Sequence, residues 1–449
     1  MKIEYSTGSE LLTKKINGLE LDMLCANEEE LKAEIDRLNS NKRKVYDISI
    51  EHTIDVLDKC AKLWLNDDYI EKHIGILSQL TNQSPELVKY ELQGSLRMLL
   101  RESIEKMIDE ELGTSKVLDG WVRTSYGYVQ RQPRGTIFHN ISGNAFVVIP
   151  VSISIGLLSK NCNIVKVSGD EPYFAYALYK SLCEIDSSIS DRLSVVYFDS
   201  KCSGIYESVV KNSNGVIHWG GEESGKFMAE LCAKYQVELI SHGAKISFEV
   251  IDSTEDIAKT AQEVATDVVM WEQKACLSPR IVFINKELDT LSFAKHLADS
   301  LNNLADVFPK SYLVPWNSVK TIQDRQYCML KYGLKKKVEV FSSFNADYTV
   351  VLNNEMPEKE DIDKCFYRFI FVCPYSNKKE VTDYVEQNIQ SYLQTMGYSG
   401  NNEEFVKEMA RMGVSIITHP GEMSMHCPGT SHDGMFNLQE LTFASSWQV

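Results

Sequence analysis

The spacing of apolar residues changes character along the chain. Up to about residue 115 the sequence is charged, and its apolar positions recur at helical intervals. The clearest helix opens at Ser84-Pro85-Glu86, a capping residue followed by proline in the first turn. Leu87, Val88, Leu92, Leu96, Leu99 and Leu100 then share one face, and Gly113 follows the last turn. This predicts a helical N-terminal region over 1–115, a cover or assembly element with no visible chemistry. From about residue 134 short β-branched runs alternate with helical segments. Strands are expected at 136–139, 164–167, 193–198, 216–219, 237–241 and 246–251, with helices at 145–160, 173–185 and 222–235. Such alternation implies an α/β fold with a parallel sheet covered on both faces and ligands beyond the carboxyl ends of its strands. A nucleotide-binding domain is therefore expected over 116–265. A second α/β domain over 266–410 contains a strand at 280–284, a helix at 288–304 and strands at 348–352 and 368–373. The segment 411–449, with its glycine- and histidine-rich loop 419–434, completes the chain as a cleft loop and assembly segment.

Composition narrows the function. At 449 residues the chain is long enough for two or three domains. Its net charge of −16 argues against a nucleic-acid partner, which needs clustered Lys and Arg. Eleven scattered cysteines include no CxxC pair, and the N-terminus lacks an apolar signal core. Both point to free thiols in the cytoplasm. The apolar stretch 145–158 contains two serines and a glycine and is short for a membrane span, so it reads as a buried helix.

Five places can carry chemistry. Cys276, in Trp271-Glu272-Gln273-Lys274-Ala275-Cys276-Leu277-Ser278-Pro279-Arg280, falls between an expected helix (255–270) and a strand, where rigid elements hold a nucleophile on both sides. A thiolate attacks thioesters and aldehydes, and Lys274 or Arg280 is placed in sequence to lower its pKa. Elsewhere such a cysteine is a small buried residue. Gly220 and Gly221, with Ser224 behind them, follow a strand and open a helix, as a pyrophosphate-binding turn does or as a plain turn does. Lys166 and Ser168 end another strand, within reach of a ribose or phosphate or simply at the surface. Asn144, before the apolar helix, is either an amide donor to an oxyanion or an N-cap. Finally, His419, His426, Cys427, His432 and Asp433 match no standard zinc spacing, so a cleft-lining loop without metal is expected.

Taken in order, PRGTIFHNISGNAF, NIVKVSGDEP, IHWGGEES, ISHGAKISFEVI, EQKACLSPRIVF and SHDGMFNLQEL resemble the aldehyde dehydrogenase superfamily. More closely they resemble its fatty-acyl reductase branch, the LuxC-type acyl-CoA reductases of bacterial luminescence. The motifs span about residues 130–440. The resemblance implies an aldehyde dehydrogenase-like fold, with a Rossmann-type nicotinamide cofactor domain and a catalytic domain carrying the cysteine. It implies NADPH-dependent reduction of a long-chain fatty acyl thioester to an aldehyde. Cys276 would be acylated, and Asn144 with the Cys276 backbone N–H would form the oxyanion site. Gly220, Gly221 and Ser224 would lie at the cofactor phosphates, Lys166 and Ser168 at the adenosine ribose.

Two departures from aldehyde-oxidising relatives stand out. Those enzymes have Glu-Leu-Gly-Gly-Lys where this chain has Ser241-His242-Gly243-Ala244-Lys245. Ser241 cannot replace the glutamate that activates water, and His242 is either a proton donor or a packed histidine. NAD-preferring relatives place a carboxylate three residues after the strand lysine. Gly169 stands there instead and would not repel a 2′-phosphate, although Asp170 is next to it. Competing readings are a CoA-acylating aldehyde dehydrogenase for shorter aldehydes, a thiol acyltransferase without redox chemistry, and an inactive scaffold. The expected partners are acyl-CoA or another acyl thioester, an acyl-transferring thioesterase or acyl-protein synthetase, and further copies of the chain.

Overall fold

The computed structural model describes residues 1–143, 148–311, 314–334, 338–424 and 427–449. Five parallel strands form the first large sheet, in the spatial order Glu238–His242, Gly215–Trp219, Thr136–Asn140, Cys162–Lys166, Leu193–Val196. The chain enters at the middle strand, steps outward through Cys162–Lys166 and Leu193–Val196, then returns to the other side of the middle strand. The strand order therefore reverses between Thr136–Asn140 and Gly215–Trp219, which opens a crevice at their carboxyl ends. Every residue of these two strands is buried, as expected where helices cover both faces. One cover is Val148–Leu158, which is buried along most of its length. No helix among the described residues is long and apolar enough to cross a membrane.

The second sheet has seven strands, in the order Val338–Ser342, Thr349–Asn353, Phe369–Tyr375, Pro279–Asn285, Ile246–Ile251, Leu393–Ser399, Ile416–Thr418. All neighbours are parallel except Val338–Ser342, which is antiparallel to Thr349–Asn353. Ile246–Ile251 was expected with the nucleotide-binding sheet, but it pairs with Pro279–Asn285 and Leu393–Ser399. Strand–helix alternation continues unbroken through this region, so periodicity alone does not reveal that the chain changes sheet across residues 243–245.

The N-terminal expectation also needs correction. Helices Glu28–Tyr46, Ile50–Trp64, Asp67–Thr81, Pro85–Arg97 and Arg101–Leu112 are present, but a small sheet of Lys2–Ile3, Glu10–Ile16 and Leu19–Cys25 precedes them. Its hairpin turns at Asn17-Gly18, both with positive φ, the arrangement that suits a two-residue hairpin loop. The Ser84 side chain caps its helix as expected, but the run through Leu100 divides into two helices. A second small sheet joins Val122–Thr124 and Gly127–Pro133 to the C-terminal strand Thr442–Gln448.

Candidate active site

The helix Ile257–Val269 ends in a turn whose Trp271, Glu272 and Gln273 all have positive φ (58°, 48° and 57°). Each such residue costs roughly 1–2 kcal/mol without compensation. The compensation here is a set of buried bonds. The Trp271 N–H donates to Glu91 Oε1 at 2.5 Å. Glu272 forms a fully buried ion pair with Arg368 at 2.7 Å. Gln273 accepts from the Phe369 N–H at 2.7 Å and donates to the carbonyls of Pro279 and Phe369, both at 3.0 Å. The first half of the cysteine motif is thus a brace. The Ser247 hydroxyl completes it by donating to the Cys276 carbonyl at 2.7 Å.

Cys276 is partly accessible and lines a cavity of about 530 Å³ shared with Ser142, Gly220, Gly221, His242, His432 and Asp433. Burial pushes its thiol up to about 11, and the Asp433 carboxylate adds to this; Gln394 and the N–H groups of Cys276 and Leu277 act in the opposite direction. Lys274 and Arg280 line the same cavity but do not bring the thiol below its ordinary value. Lys274 Nζ donates to the Thr81 carbonyl at 3.0 Å and lies over the Tyr367 ring. Arg280 lies over the Phe366 ring and 3.5 Å from Asp363.

His242 ends its strand against the same cavity. Its ring stacks on Trp219 with centroids 3.9 Å apart, and both nitrogens are engaged, Nδ1 with Asp433 Oδ2 at 2.8 Å and Nε2 with Asn437 Oδ1 at 3.2 Å. Gln394 Nε2 donates to the other Asp433 oxygen at 2.8 Å. Burial works against the Asp433 charge, but His242 and His432 hold its carboxyl below the usual range. His242, His432 and Asp433 bring possible ligand atoms within 4.8 Å of one another, the arrangement of a hydrogen-bonded cluster as much as of a cation site. Ser241, one residue earlier, is exposed and does not line the cavity. Asp433 stands in the SHDGMF motif. Gln394, inside a strand, carried no signal in the sequence.

The residues expected at the cofactor divide into two groups. Gly220 and Gly221 line the Cys276 cavity at the end of Gly215–Trp219, beside the crevice. A Cβ on Gly220 would stand 2.7 Å from the His218 ring and Ser224 Oγ, while one on Gly221 would meet nothing within 4 Å. The turn is therefore bare backbone with open space before it, which fits a pyrophosphate. Ser224 lies outside the lining, its hydroxyl held by His218 Nε2 at 3.2 Å and the Gly221 carbonyl at 3.0 Å. Lys166 and Ser168 also lie outside it, at the end of Cys162–Lys166. Lys166 Nζ is buried over the Phe198 and Tyr206 rings, and burial lowers its pKa to about 8. Ser168 Oγ accepts from the Asp170 N–H at 3.2 Å. Asn144 lies outside the described residues.

A second cavity, of about 360 Å³, adjoins the first through Val151 and His432. Its lining includes Tyr90, Met98, Met107, Ile155 and Trp271. Much of it comes from the N-terminal helices, to which the sequence assigned no chemistry.

The acyl-CoA reductase (LuxC) family matches residues 45–444. The long-chain acyl-protein thioester reductase of Vibrio harveyi is 25% identical over 426 residues, 92% of this chain and 87% of that protein. Among solved structures, a salicylaldehyde dehydrogenase from Pseudomonas putida G7 superposes with a TM-score of 0.76 at 13% identity, covering 99% of this chain and 97% of that one. An NADP-dependent enzyme from E. coli gives 0.77 at 11% identity, covering 97% and 94%. The structural likeness establishes an aldehyde dehydrogenase fold, and the sequence match over 45–444 establishes the lineage within it: the chain belongs to the acyl-CoA reductase (LuxC) family.

Proposed function

We propose that Cys276 takes a long-chain fatty acyl group from a thioester donor and that reduction with NADPH releases it as an aldehyde. The observation that carries this reading is the shared lining of one cavity: Cys276, His242 and the bare Gly220-Gly221 turn face the same space. The Cys276 sulfur attacks the acyl carbonyl carbon, the bond to the donor sulfur breaks, and the thiol proton leaves with the donor. Asn144 and the Cys276 N–H polarise the carbonyl oxygen. Bound NADPH supplies a hydride. One hydride and one proton then convert the acyl-cysteine to an aldehyde and regenerate the thiol. His242, oriented by Asp433, is the proton source once its Nε2 exchanges Asn437 for the substrate. The water-activating carboxylate of oxidising relatives has no counterpart: Glu272 is locked to Arg368 and Ser241 faces away.

The second, largely apolar-lined cavity suits the fatty chain, since its volume falls in the range of small-molecule sites. The open Gly220-Gly221 turn, Ser224, Lys166, Ser168 and the side-chain-free position 169 suit a phosphorylated dinucleotide. The acyl donor is acyl-CoA or an acylated protein delivered by a thioesterase or acyl-protein synthetase. Exposed Phe443 and Trp447 in the second small sheet, with Trp121 beside it, suit assembly with further copies. All eleven cysteines are free thiols, in keeping with work in the cytoplasm.

The test is incubation with labelled acyl-CoAs of graded length, first without cofactor and then with NADPH. Label on Cys276 that discharges as aldehyde, best with long chains, is expected. Free acid forming faster than aldehyde would make the protein a thioesterase or an oxidising enzyme. A preference for short acyl groups would favour the CoA-acylating aldehyde dehydrogenase alternative.

A further inference from the structure

The N-terminal hairpin lies before residue 45, where the family match begins. It is stitched to the five-stranded sheet. The Ser6 N–H donates to the Val195 carbonyl at 2.9 Å, the Val195 N–H to Ser6 Oγ at 2.8 Å, and the Ala26 N–H to the Tyr197 carbonyl at 2.9 Å. Tyr5 OH donates to the Pro172 carbonyl at 2.8 Å. These bonds aim one side chain, Lys14, at the turn after Cys162–Lys166. Lys14 Nζ donates to the Gly169 carbonyl at 2.6 Å, and it stands 2.9 Å from where a Cβ on Gly169 would be. The Tyr197 hydroxyl stands 3.3 Å from the same point.

Thr136–Asn140, Val148–Leu158 and Cys162–Lys166 form a β-α-β unit. In dinucleotide sites built on such a unit, the end of the second strand meets the adenosine ribose. A carboxylate there binds the 2′-hydroxyl, and a cation there accommodates a 2′-phosphate. This chain has no side chain at 169 and puts an ammonium in its place. We infer that Lys14, carried in by the N-terminal hairpin, binds the 2′-phosphate of NADPH and sets the preference for the phosphorylated cofactor. The inference rests on the cofactor reading given above. Lys14 is partly exposed, and the Gly169 carbonyl uses one of its three N–H donors. Lys166 is less suited, because its ammonium is enclosed by the rings of Phe198 and Tyr206. Asp170 and Asp199 are the acidic neighbours of this turn, so the site is tuned by both signs of charge.

The test is equilibrium binding without acyl donor, using NADPH, NADH, 2′,5′-ADP and 5′-AMP on the wild type and on Lys14→Ala, Lys14→Gln and Lys14→Arg. Loss of one charge-assisted contact should weaken NADPH and 2′,5′-ADP by about tenfold in Lys14→Ala and Lys14→Gln. NADH and 5′-AMP should stay within about twofold, and Lys14→Arg should retain most of the preference. Matching thermal melts establish that the variants are folded. A wild type that prefers NADPH, with that preference unchanged in Lys14→Ala, overturns the role of Lys14 alone. Equal weakening of phosphorylated and unphosphorylated ligands overturns it too, reducing Lys14 to a prop for the Gly169 turn. A wild type that binds NADH as tightly as NADPH removes the cofactor reading and this inference together.

Discussion

The turn that carries Cys276 and the Gly220-Gly221 turn are both short links in α/β layers, yet they are built in opposite ways. Three successive left-handed residues precede the cysteine, fixed by a buried ion pair and by hydrogen bonds to Glu91 and the 369 strand. Gly220-Gly221 has no side chains, and open space lies before Gly221. The difference fits the roles proposed for them. A nucleophile gains most when it is held near its reacting position before the substrate arrives. A dinucleotide bound at Gly220-Gly221, as proposed, would have to enter and leave, which calls for access and bare backbone donors rather than rigidity. Charge differs too: at Cys276 burial and Asp433 outweigh Gln394 and the N–H groups of Cys276 and Leu277 and favour the neutral thiol, whereas Lys14 and Lys166 stand at the end of Cys162–Lys166.

If the contrast is right, the largest effect belongs to Cys276, the proposed nucleophile. Cys276→Ala should take up no acyl label, and Cys276→Ser should lower aldehyde formation at least ~10³-fold, because a serine hydroxyl lacks a strong base here. Peptide mapping after labelled acyl-CoA reads this directly. Label persisting elsewhere in Cys276→Ala would move the nucleophile. The next largest effect falls on the brace. Arg368→Met leaves Glu272 as an uncompensated buried carboxylate and should cost about 3–5 kcal/mol of stability. The double variant Glu272→Gln with Arg368→Met should recover part of that loss. Unchanged denaturant midpoints in Arg368→Met would mean that the turn is held by its backbone bonds alone.

What the sequence revealed follows the same division. The strands at 136–140 and 215–219 were legible because a parallel sheet covered on both faces demands continuous apolar runs. Cys276 was legible because its motif is local. The Glu10–Ile16 hairpin was not, since that strand is mostly exposed and shows no apolar stripe. Only the Asn17-Gly18 pair announces it. The pairing of His242 with Asp433 spans 191 residues, and no local pattern reports a contact at that distance. Gln394 reads as an ordinary strand residue until the sheet places it beside Asp433. The role of Glu272 is hidden for a related reason: only the position of Arg368, 96 residues away, identifies it as a structural anchor.

A smaller effect concerns pH. Burial pushes Cys276 up to about 11, so between pH 7 and 9 the thiolate is a minor form that grows about tenfold per pH unit. Alkylation of Cys276 by iodoacetamide should therefore rise by about 10² from pH 7 to pH 9 and show no plateau below pH 10. Peptide mapping is required, because Cys202 and Cys427 are exposed and react as well. A plateau near pH 8 would reveal a cationic partner for the sulfur and remove the difference in charge between the two turns.

The smallest effect separates access from structure in the glycine pair. Gly220 and Gly221 are adjacent, neither has positive φ, and both line the cavity, so sequence gives no reason to treat them differently. Their surroundings do. At Gly220 a methyl group would press on the His218 ring and the Ser224 hydroxyl at 2.7 Å, so Gly220→Ala should destabilise the fold even without ligand. At Gly221 nothing lies within 4 Å, so Gly221→Ala should melt like the wild type. If that open space receives the cofactor phosphates, the added methyl should still weaken NADPH binding, by about tenfold, because it holds the anion away from the backbone donors at the helix start. Fluorescence titration of NADPH beside thermal melts of both variants tests the pair. Full NADPH affinity in a normally folded Gly221→Ala would place the phosphates elsewhere along the crevice. The turn would then be open for some reason other than the cofactor, and its contrast with the braced cysteine turn would need a different explanation.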